Sequence, residues 1–334
     1  MDEIPNRLIK VDTMNKIYLI TIALITSWQL ASAQQEQMYT QFMYNKLAWN
    51  PAYAGSFASP TLTAVYRNQF IGLDGAPKTA ALSFNMPYNG ERLAFGVNLV
   101  QHSIAITRML EIDLLPLTGI IPMRYGTLSV GLQVSIRQFS QNWGDKRIEV
   151  IQPSGDNSIP TEDNTKIIVT PGAGIFYKSD NWYVGAALPR VIHSNIDFSQ
   201  SFAKPKDISR EVWHFNVMGG YTFTPNDHLA ITPQTLLKYA QGAPFQADIN
   251  MTLLLNNKFS GGATYRTGGG ETSAAGESID FLLGLQATEK LFFCISYDLG
   301  LTPLRRSHHG SAELTARYWF NPPAATADDP VSPY

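Results

Sequence analysis

Residues 128–137 read LSVGLQVSIR, and an apolar side chain occupies every second position of this stretch. One face carries Leu128, Val130, Leu132, Val134 and Ile136, whereas the other carries small or polar side chains and ends in an arginine. Because successive side chains of a β-strand point to opposite faces, the pattern predicts a strand with one apolar and one polar side.

The same alternation recurs in segments from residue 61 to residue 320, separated by clusters of Gly, Pro, Asn and Asp. It predicts about fourteen antiparallel strands. They lie near residues 61–71, 79–86, 93–102, 107–121, 127–139, 167–178, 181–189, 212–223, 228–238, 244–255, 258–266, 278–287, 290–298 and 309–320. An even number allows a single chain to close a barrel with both ends on one side.

The connections between the predicted strands differ in length in a regular way. Those after even-numbered strands are short, whereas long ones, at 140–166, 190–211, 267–277 and 299–308, follow odd-numbered strands. Short periplasmic turns and long outward loops are typical of outer-membrane barrels. The predicted fold is therefore all-β, a transmembrane barrel with both termini in the periplasm. A soluble β-sandwich is the alternative, and the strand lengths and the aromatic residues near strand ends disfavour it.

The composition fits a chain that meets lipid. Of 334 residues, 44% are hydrophobic and only 16% are charged, against about 25% charged in soluble domains. The net charge of −2 gives no basic surface for nucleic acid. Cys294 is the only cysteine, so no internal disulfide can form. We therefore expect a lipid bilayer, and no nucleic acid, among the partners.

The N-terminus predicts export. Residues 14–33 read MNKIYLITIALITSWQLASA, with a lysine, a short apolar core and a small-x-small cleavage site before Gln34. We expect residues 1–33 to be a signal peptide whose true start is Met14, with a helical anchor as the alternative. The remaining predicted divisions are an N-terminal periplasmic segment at 34–60, the barrel at 61–320, and a flexible periplasmic tail at 321–334.

Charged residues occupy the polar phase of many predicted strands. These charged residues are Arg67, Glu111, Asp113, Arg137, Asp248, Arg266, Asp280, Asp298, Glu313 and Arg317. Because both signs occur, we predict a paired charge network that braces the lumen. A selective transport lining is the alternative.

No pattern in the sequence predicts catalysis. The chain has no G-x-S-x-G, H-E-x-x-H or Walker motif, which disfavours an outer-membrane lipase or protease and predicts no enzyme activity and no cofactor.

Adjacent His308 and His309 are interpreted as loop residues rather than metal ligands, because neighbouring strand residues face opposite ways. The 140–166 loop is acidic, through Asp145, Glu149, Asp156, Glu162 and Asp163. We interpret it as a solvated loop, with a calcium site as the alternative.

Residues 37–56 read QMYTQFMYNKLAWNPAYAGS, residues 66–79 read YRNQFIGLDGAPKT, and residues 307–320 read SHHGSAELTARYWF. The first two stretches resemble the PorP/SprF family of type IX secretion outer-membrane proteins from Bacteroidetes, and the third looks like the closing strand of that family. Phe70 stands where the family usually has Trp, and Ala312 where it often has His. The matching positions are Asn50, Pro51, Ala52, Tyr53, Ala54, Gly55, Arg67, Gly72, Asp74, Gly75, Pro77, Gly310 and Glu313.

The resemblance implies a barrel of the secretion and gliding machinery in the outer membrane. It also implies association with periplasmic ring and lipoprotein components, and export or surface attachment of an adhesin-like partner. A passive or substrate-selective porin is the alternative function.

The matching motifs fall on the two sides of the first strand. The Asn50–Gly55 motif precedes it on the expected periplasmic side, either packed in the barrel mouth or forming a docking site for a periplasmic partner. The GLDGAPK motif follows it in an outward loop, where Gly72 and Gly75 suit tight turns and Pro77 fixes φ.

Overall fold

The computed structural model describes residues 37–57, 59–88, 92–145, 164–191, 213–240, 243–268 and 276–321. Within these ranges the chain forms one antiparallel sheet. Its strands are β1 (Thr61–Asn68), β2 (Lys78–Tyr88), β3 (Leu93–Ile104), β4 (Thr107–Met123), β5 (Gly126–Gln141), β6 (Asn164–Lys178), β7 (Trp182–Arg190), β8 (His214–Tyr221), β9 (Phe223–Asn226), β10 (Leu229–Ala240), β11 (Gln246–Leu255), β12 (Phe259–Arg266), β13 (Ser278–Thr288), β14 (Leu291–Gly300) and β15 (Ser311–Trp319).

The sheet closes on itself, because β1 pairs with β15 from Thr61 opposite Trp319 to Asn68 opposite Ala312. Strands β8 and β9 both pair with β10 and are separated only by Thr222, so they act as one interrupted strand of the wall. Counted this way, the described residues form a closed fourteen-strand antiparallel barrel, as the sequence predicted.

The predicted strand positions agree with the structure to within a few residues, with two informative differences. The first strand ends at Asn68 rather than at 71, because Phe70 adopts a positive φ of 49° that a strand does not accommodate. The eighth predicted strand is split into β8 and β9, and the register with β10 shifts between Leu229 and Ile231.

The two faces of the wall have opposite character. Leu283 and Ile295 point outward and are 65% and 57% exposed. Inward polar residues such as Ser135, Thr170 and Asp248 are fully buried. This arrangement is the reverse of a soluble protein and suits a wall whose outer face meets lipid. No helix among the described residues has the length and apolar character needed to cross a bilayer.

The short turns and long connections separate onto opposite ends, as expected. Turns at 124–125, 179–181 and 256–258 lie at one end, and the connections 69–77 and 301–310 lie at the other. We call these the short-turn end and the long-loop end. The predicted signal peptide (1–33), nearly all of the tail (322–334) and most of the acidic 140–166 loop, including Glu149, Asp156, Glu162 and Asp163, lie outside the described residues.

Candidate functional site in the barrel lumen

The barrel interior is occupied by the chain's own N-terminal residues. Residues 37–57, which we call the luminal segment, form three short 3-10 turns at Phe42–Tyr44, Lys46–Ala48 and Pro51–Tyr53. Most of its side chains have almost no exposed surface, and the fully buried ones include Phe42, Met43 and Tyr44. The segment therefore forms the core of the barrel.

The luminal segment runs from the long-loop end to the short-turn end. Gln37 Nε2 donates to Glu111 Oε2 over 3.2 Å, close to where β4 begins at the long-loop end. The carbonyl of Ser56 accepts from Lys178 Nζ over 3.2 Å at the short-turn end of β6. This placement differs from the periplasmic one expected from the sequence. The segment has no strand or helix period, so its pattern did not indicate which surface it would bury.

Asn50, the first residue of the family-like motif, is held against two wall strands. Its Nδ2 donates to the carbonyls of Ile175, over 2.9 Å, and Ala186, over 3.4 Å, which are ladder partners on β6 and β7. Its Oδ1 accepts from the N–H of Ala52 over 2.9 Å and caps the turn at Pro51–Tyr53. Of the two placements left open for the motif, the structure describes the one inside the barrel.

Small wall residues make room for this motif. A Cβ at Gly174 would collide with the Asn50 side chain, and one at Gly131 would lie 2.5 Å from the backbone nitrogen of Ala52. The motif ends at Gly55, whose φ of 76° is in the left-handed region and whose Cβ would meet Ala94. The motif therefore fits a matching recess in the wall. The recess could not be predicted from the sequence, because Gly131 and Gly174 lie far from the motif along the chain.

Arg67 joins the wall to the luminal segment at the long-loop end. Its guanidinium lies 2.7 Å from Asp298 Oδ2 and 3.2 Å from Glu313 Oε2, and its Nη1 donates to Thr40 Oγ1 over 2.6 Å. Glu313 accepts from two consecutive backbone N–H groups, those of Thr40 over 2.8 Å and Gln41 over 2.9 Å. Two carboxylates and one guanidinium thus bind the start of the segment.

A second charged group lies beside the first. Arg266 Nε is 2.8 Å from Asp248 Oδ1, and its Nη2 is 3.8 Å from Asp280 Oδ2. Lys238 Nζ lies 2.9 Å from Asp248 Oδ2. Arg266 also donates to the carbonyl of Tyr39 over 3.0 Å, so this group too contacts the luminal segment.

A third charged group is centred on Glu111. Arg190 Nη2 lies 2.8 Å from Glu111 Oε1. Asp113 Oδ1 accepts from Ser135 Oγ over 2.5 Å, and Arg137 is buried on the facing strand opposite Glu111 in the ladder.

The three groups lie in the long-loop half of the lumen, whereas Arg317 lies near the other end. There it donates to Thr63 Oγ1 and to the carbonyl of Tyr44, and it packs over the rings of Phe57 and Trp319. Nine of the ten predicted lumen charges thus belong to these three groups, and the tenth, Arg317, lies apart from them.

Sequence reasoning missed three inward-facing cations, the buried Lys46 and Arg190 and the partly buried Lys238. Arg190 follows the predicted end of its strand at 189, and Lys46 lies where no period was visible. Lys238 is on the inner side of β10, and its Nζ lies 5.4 Å from the centre of the Trp49 ring. Lys46 Nζ donates to the carbonyl of Met43 and lies 4.5 Å from the Tyr183 ring centre.

The two family-like loops meet at the long-loop end. Ile71 donates its N–H to the carbonyl of Gly310, and His309 donates to the carbonyl of Ile71. Gly72 and Gly75 have φ values of 94° and 72°, in the left-handed region that suits the tight turns predicted for them, and Gly310 has a φ of 77°. Asp74 is exposed in this loop, and Pro77 accepts a backbone hydrogen bond from Gln69.

His308 is buried in the same loop region. Its Nδ1 accepts from the N–H of Gly310 over 2.9 Å, and its ring packs 4.7 Å from that of Phe70. Burial lowers the pKa of His308 below its ordinary value. In the part of the chain that the structure describes, no group of three or more His, Cys, Asp or Glu is arranged to hold a metal.

Two small cavities flank the luminal segment. One, of about 30 Å³, is lined by Gln37, Trp49 and Lys238, and the other, of about 20 Å³, by Tyr39, Glu111 and Arg190. Each has room for about one water molecule. Neither cavity is wide enough to conduct a hydrated solute.

Comparisons with solved structures return outer-membrane barrels at low sequence identity. Omp33 of Acinetobacter baumannii is 9% identical over 78% of this chain and 98% of its own, with a TM-score of 0.45. A TodX mutant described as a monoaromatic hydrocarbon channel is 10% identical over 81% and 92%, with a TM-score of 0.48. A FadL homologue of Pseudomonas aeruginosa is 15% identical over 81% and 93%, with a TM-score of 0.43. None of the curated proteins matches the chain.

The family comparison is decisive. The model of the type IX secretion system membrane protein PorP/SprF matches residues 31–318, which is nearly the whole chain. It covers the luminal segment and every described strand except for Trp319, the last residue of β15. This is a family of secretion-system barrels and not of enzymes. With its closed barrel and lipid-facing wall, the chain is an outer-membrane protein and belongs to the PorP/SprF family of type IX secretion system membrane proteins.

Proposed function

We propose that this barrel supports the export or surface attachment of a partner protein, such as an adhesin, through the type IX secretion machinery. Periplasmic ring and lipoprotein components of that machinery are the proposed assembly partners. Family membership over residues 31–318 is the observation that carries the proposal.

The filled lumen favours this role over that of a passive porin. The luminal segment buries aromatic and aliphatic side chains at the barrel axis, and the cavities beside it hold about 30 and 20 Å³. An open porin instead keeps a water-filled channel through its polar interior. The paired charges at the long-loop end support bracing of the lumen rather than a transport lining.

The role we propose for the Asn50–Gly55 motif is to hold the luminal segment in the wall. All six residues of the motif except Gly55 are buried, and Asn50 is hydrogen-bonded to two strands. A partner that docks on the motif would first have to displace it. Arg67 and Glu313 come from the other two family-like stretches. They likewise hold the luminal segment, through hydrogen bonds to Thr40 and Gln41.

We also propose that residues 1–33 are removed on export, with Met14 as the true start. The apolar core and the Ala31-Ser32-Ala33 site support this proposal. N-terminal sequencing of the mature protein should begin at Gln34, whereas an intact N-terminus would contradict cleavage.

Three measurements test the function. Purified protein in a planar bilayer should show no steady conductance, whereas a stable open channel would favour the porin. Deletion of the gene should abolish surface display of a particular exported protein, and complementation should restore it. Affinity purification from the outer membrane should recover type IX components, and their absence together with unchanged surface proteins would contradict the role.

A further inference from the structure

The wall of the lumen binds the main chain of the luminal segment as well as its side chains, and the main-chain hydrogen bonds extend from Tyr39 to Ser56. Eight wall side chains bond nine backbone groups, from Tyr39 to Ser56. These side chains are Asn85, Asn98, Thr118, Lys178, Asn216, Arg266, Glu313 and Arg317. They come from seven different strands, so the contacts surround the segment.

The contacts follow the segment along its length. At the long-loop end, Glu313 accepts from two N–H groups, and Arg266 donates to the carbonyl of Tyr39. Midway, Asn98 and Asn216 donate over 3.3 Å to the carbonyls of Leu47 and Trp49. Because every polypeptide carries these backbone groups, such contacts give affinity that does not depend on a particular side chain.

The segment is not part of the wall itself. None of its residues takes part in the strand ladders of the described chain, and β1 pairs with β15 along its whole length without it. Its covalent connection to β1 runs through residues 58–60. The barrel is thus closed by hydrogen bonds between strands, and the segment contacts it as a ligand would.

We propose that the lumen is a polypeptide-binding site that recognises main chain, and that the luminal segment is an exchangeable occupant whose place a segment of a partner polypeptide can take. The exported partner is the natural source of such a segment, and that identification alone rests on the proposed function. The binding chemistry is tested on purified protein, so its failure and that of the secretion role are separate outcomes.

The experiment uses the full chain with a protease recognition sequence in place of Ala58. After folding, cleavage turns the luminal segment into a noncovalent ligand. A fluorescent synthetic peptide of residues 37–57 is then added, and its uptake is followed by anisotropy and by co-elution with the barrel. We expect the peptide to replace the cut segment.

Two sets of variants test whether main-chain groups carry the binding. A peptide N-methylated at Thr40 and Gln41 loses both donors to Glu313 and should bind at least about 10-fold more weakly, whereas N-methylation at Phe57 should have a smaller effect. In the barrel, Asn98→Ala and Asn216→Ala should each weaken uptake about 3- to 10-fold. Asn250→Ala is the matched control, because Asn250 is an inward asparagine whose hydrogen bonds go to wall residues.

Two results would overturn the proposal. One is a cut segment that stays bound while no peptide enters, even at large excess and over days. The other is peptide uptake that is unaffected by N-methylation at Thr40 and Gln41. If Asn98→Ala fails to fold, the N-methylated peptides still decide the question, because they leave the barrel unchanged.

Discussion

Arg67 and Glu313 face each other in the ladder that closes the barrel, with the guanidinium 3.2 Å from the carboxylate. The same two side chains bind the start of the luminal segment, through Thr40 Oγ1 and the N–H groups of Thr40 and Gln41. Closure of the wall and filling of the lumen are therefore coupled at one point. The two residues come from separate family-like stretches, which explains how those stretches act together.

Replacing Arg67 should lower the stability of the barrel. Arg67→Met leaves Asp298 and Glu313 buried without their guanidinium, and breaking a buried ion pair from one side destabilises by about 3–5 kcal/mol. Urea unfolding in detergent, followed by tryptophan fluorescence, would measure the change. Arg305→Met is the control, since Arg305 is exposed at the same end and its loss should change stability by no more than about 0.5 kcal/mol. Equal effects of the two substitutions would contradict a role of the ion pair in stability.

The wall of the barrel could be predicted from the sequence, because alternation such as that of Leu132 and Gln133 directly reports which face a strand residue takes. The charges on strands were assigned to the lumen for the same reason. What could not be predicted is which charges meet. The pairing of Arg67 with Asp298, or of Arg190 with Glu111, joins residues more than 70 positions apart and depends on the curvature of the closed sheet.

The position of the luminal segment was predicted only as one of two alternatives for the Asn50–Gly55 motif. Its burial comes from 3-10 turns and from recesses such as Gly174, neither of which leaves a periodic pattern. Its content of aromatic residues, including Phe42, Tyr44 and Trp49, is the one sequence feature that indicates an interior location. The split at Thr222 between β8 and β9 likewise had no signature in the alternation.

The lipid-facing side of the wall can be tested on one strand. Leu283 lies midway along β13 and points outward, so Leu283→Arg should destabilise the barrel by about 2–4 kcal/mol. Ala287→Arg, close to the short-turn end of the same strand, should cost only about 0–1 kcal/mol. Unfolding in lipid vesicles would give both values. A neutral Leu283→Arg would mean that this face does not meet the bilayer core.

The recess for Asn50 predicts that alanine substitution has different effects on the luminal segment at two wall glycines. A Cβ at Gly174 would collide with the Asn50 side chain, whereas one at Gly261 would make an ordinary contact, 3.8 Å from Leu283. Gly174→Ala should therefore displace the motif, and Gly261→Ala should leave it in place.

The displacement can be read by thiol labelling. In a background with Cys294→Ser, a cysteine introduced at Ala48 should react with a water-soluble maleimide faster when combined with Gly174→Ala than with Gly261→Ala. The same labelling rate in both would show that the recess does not hold the segment.

The burial of His308 predicts that the stability of the folded protein depends on pH. Burial lowers the pKa of His308 in the folded protein, so between that pKa and the unfolded value of about 6.5 the unfolded chain binds more protons. Stability should therefore fall as the pH drops through this window and level off below the folded pKa. Protonation would also remove the acceptor that His308 Nδ1 offers to the N–H of Gly310.

Urea midpoints of the wild type and of His308→Gln, measured from pH 8 to pH 5, test this dependence. The difference between them should shrink or change sign on acidification, because the variant lacks the titrating group. His309→Gln is the matched control and should follow the wild type, since it leaves His308 and its bond to Gly310 intact. If the wild type and His308→Gln lose stability in parallel, the acid sensitivity arises elsewhere in the barrel.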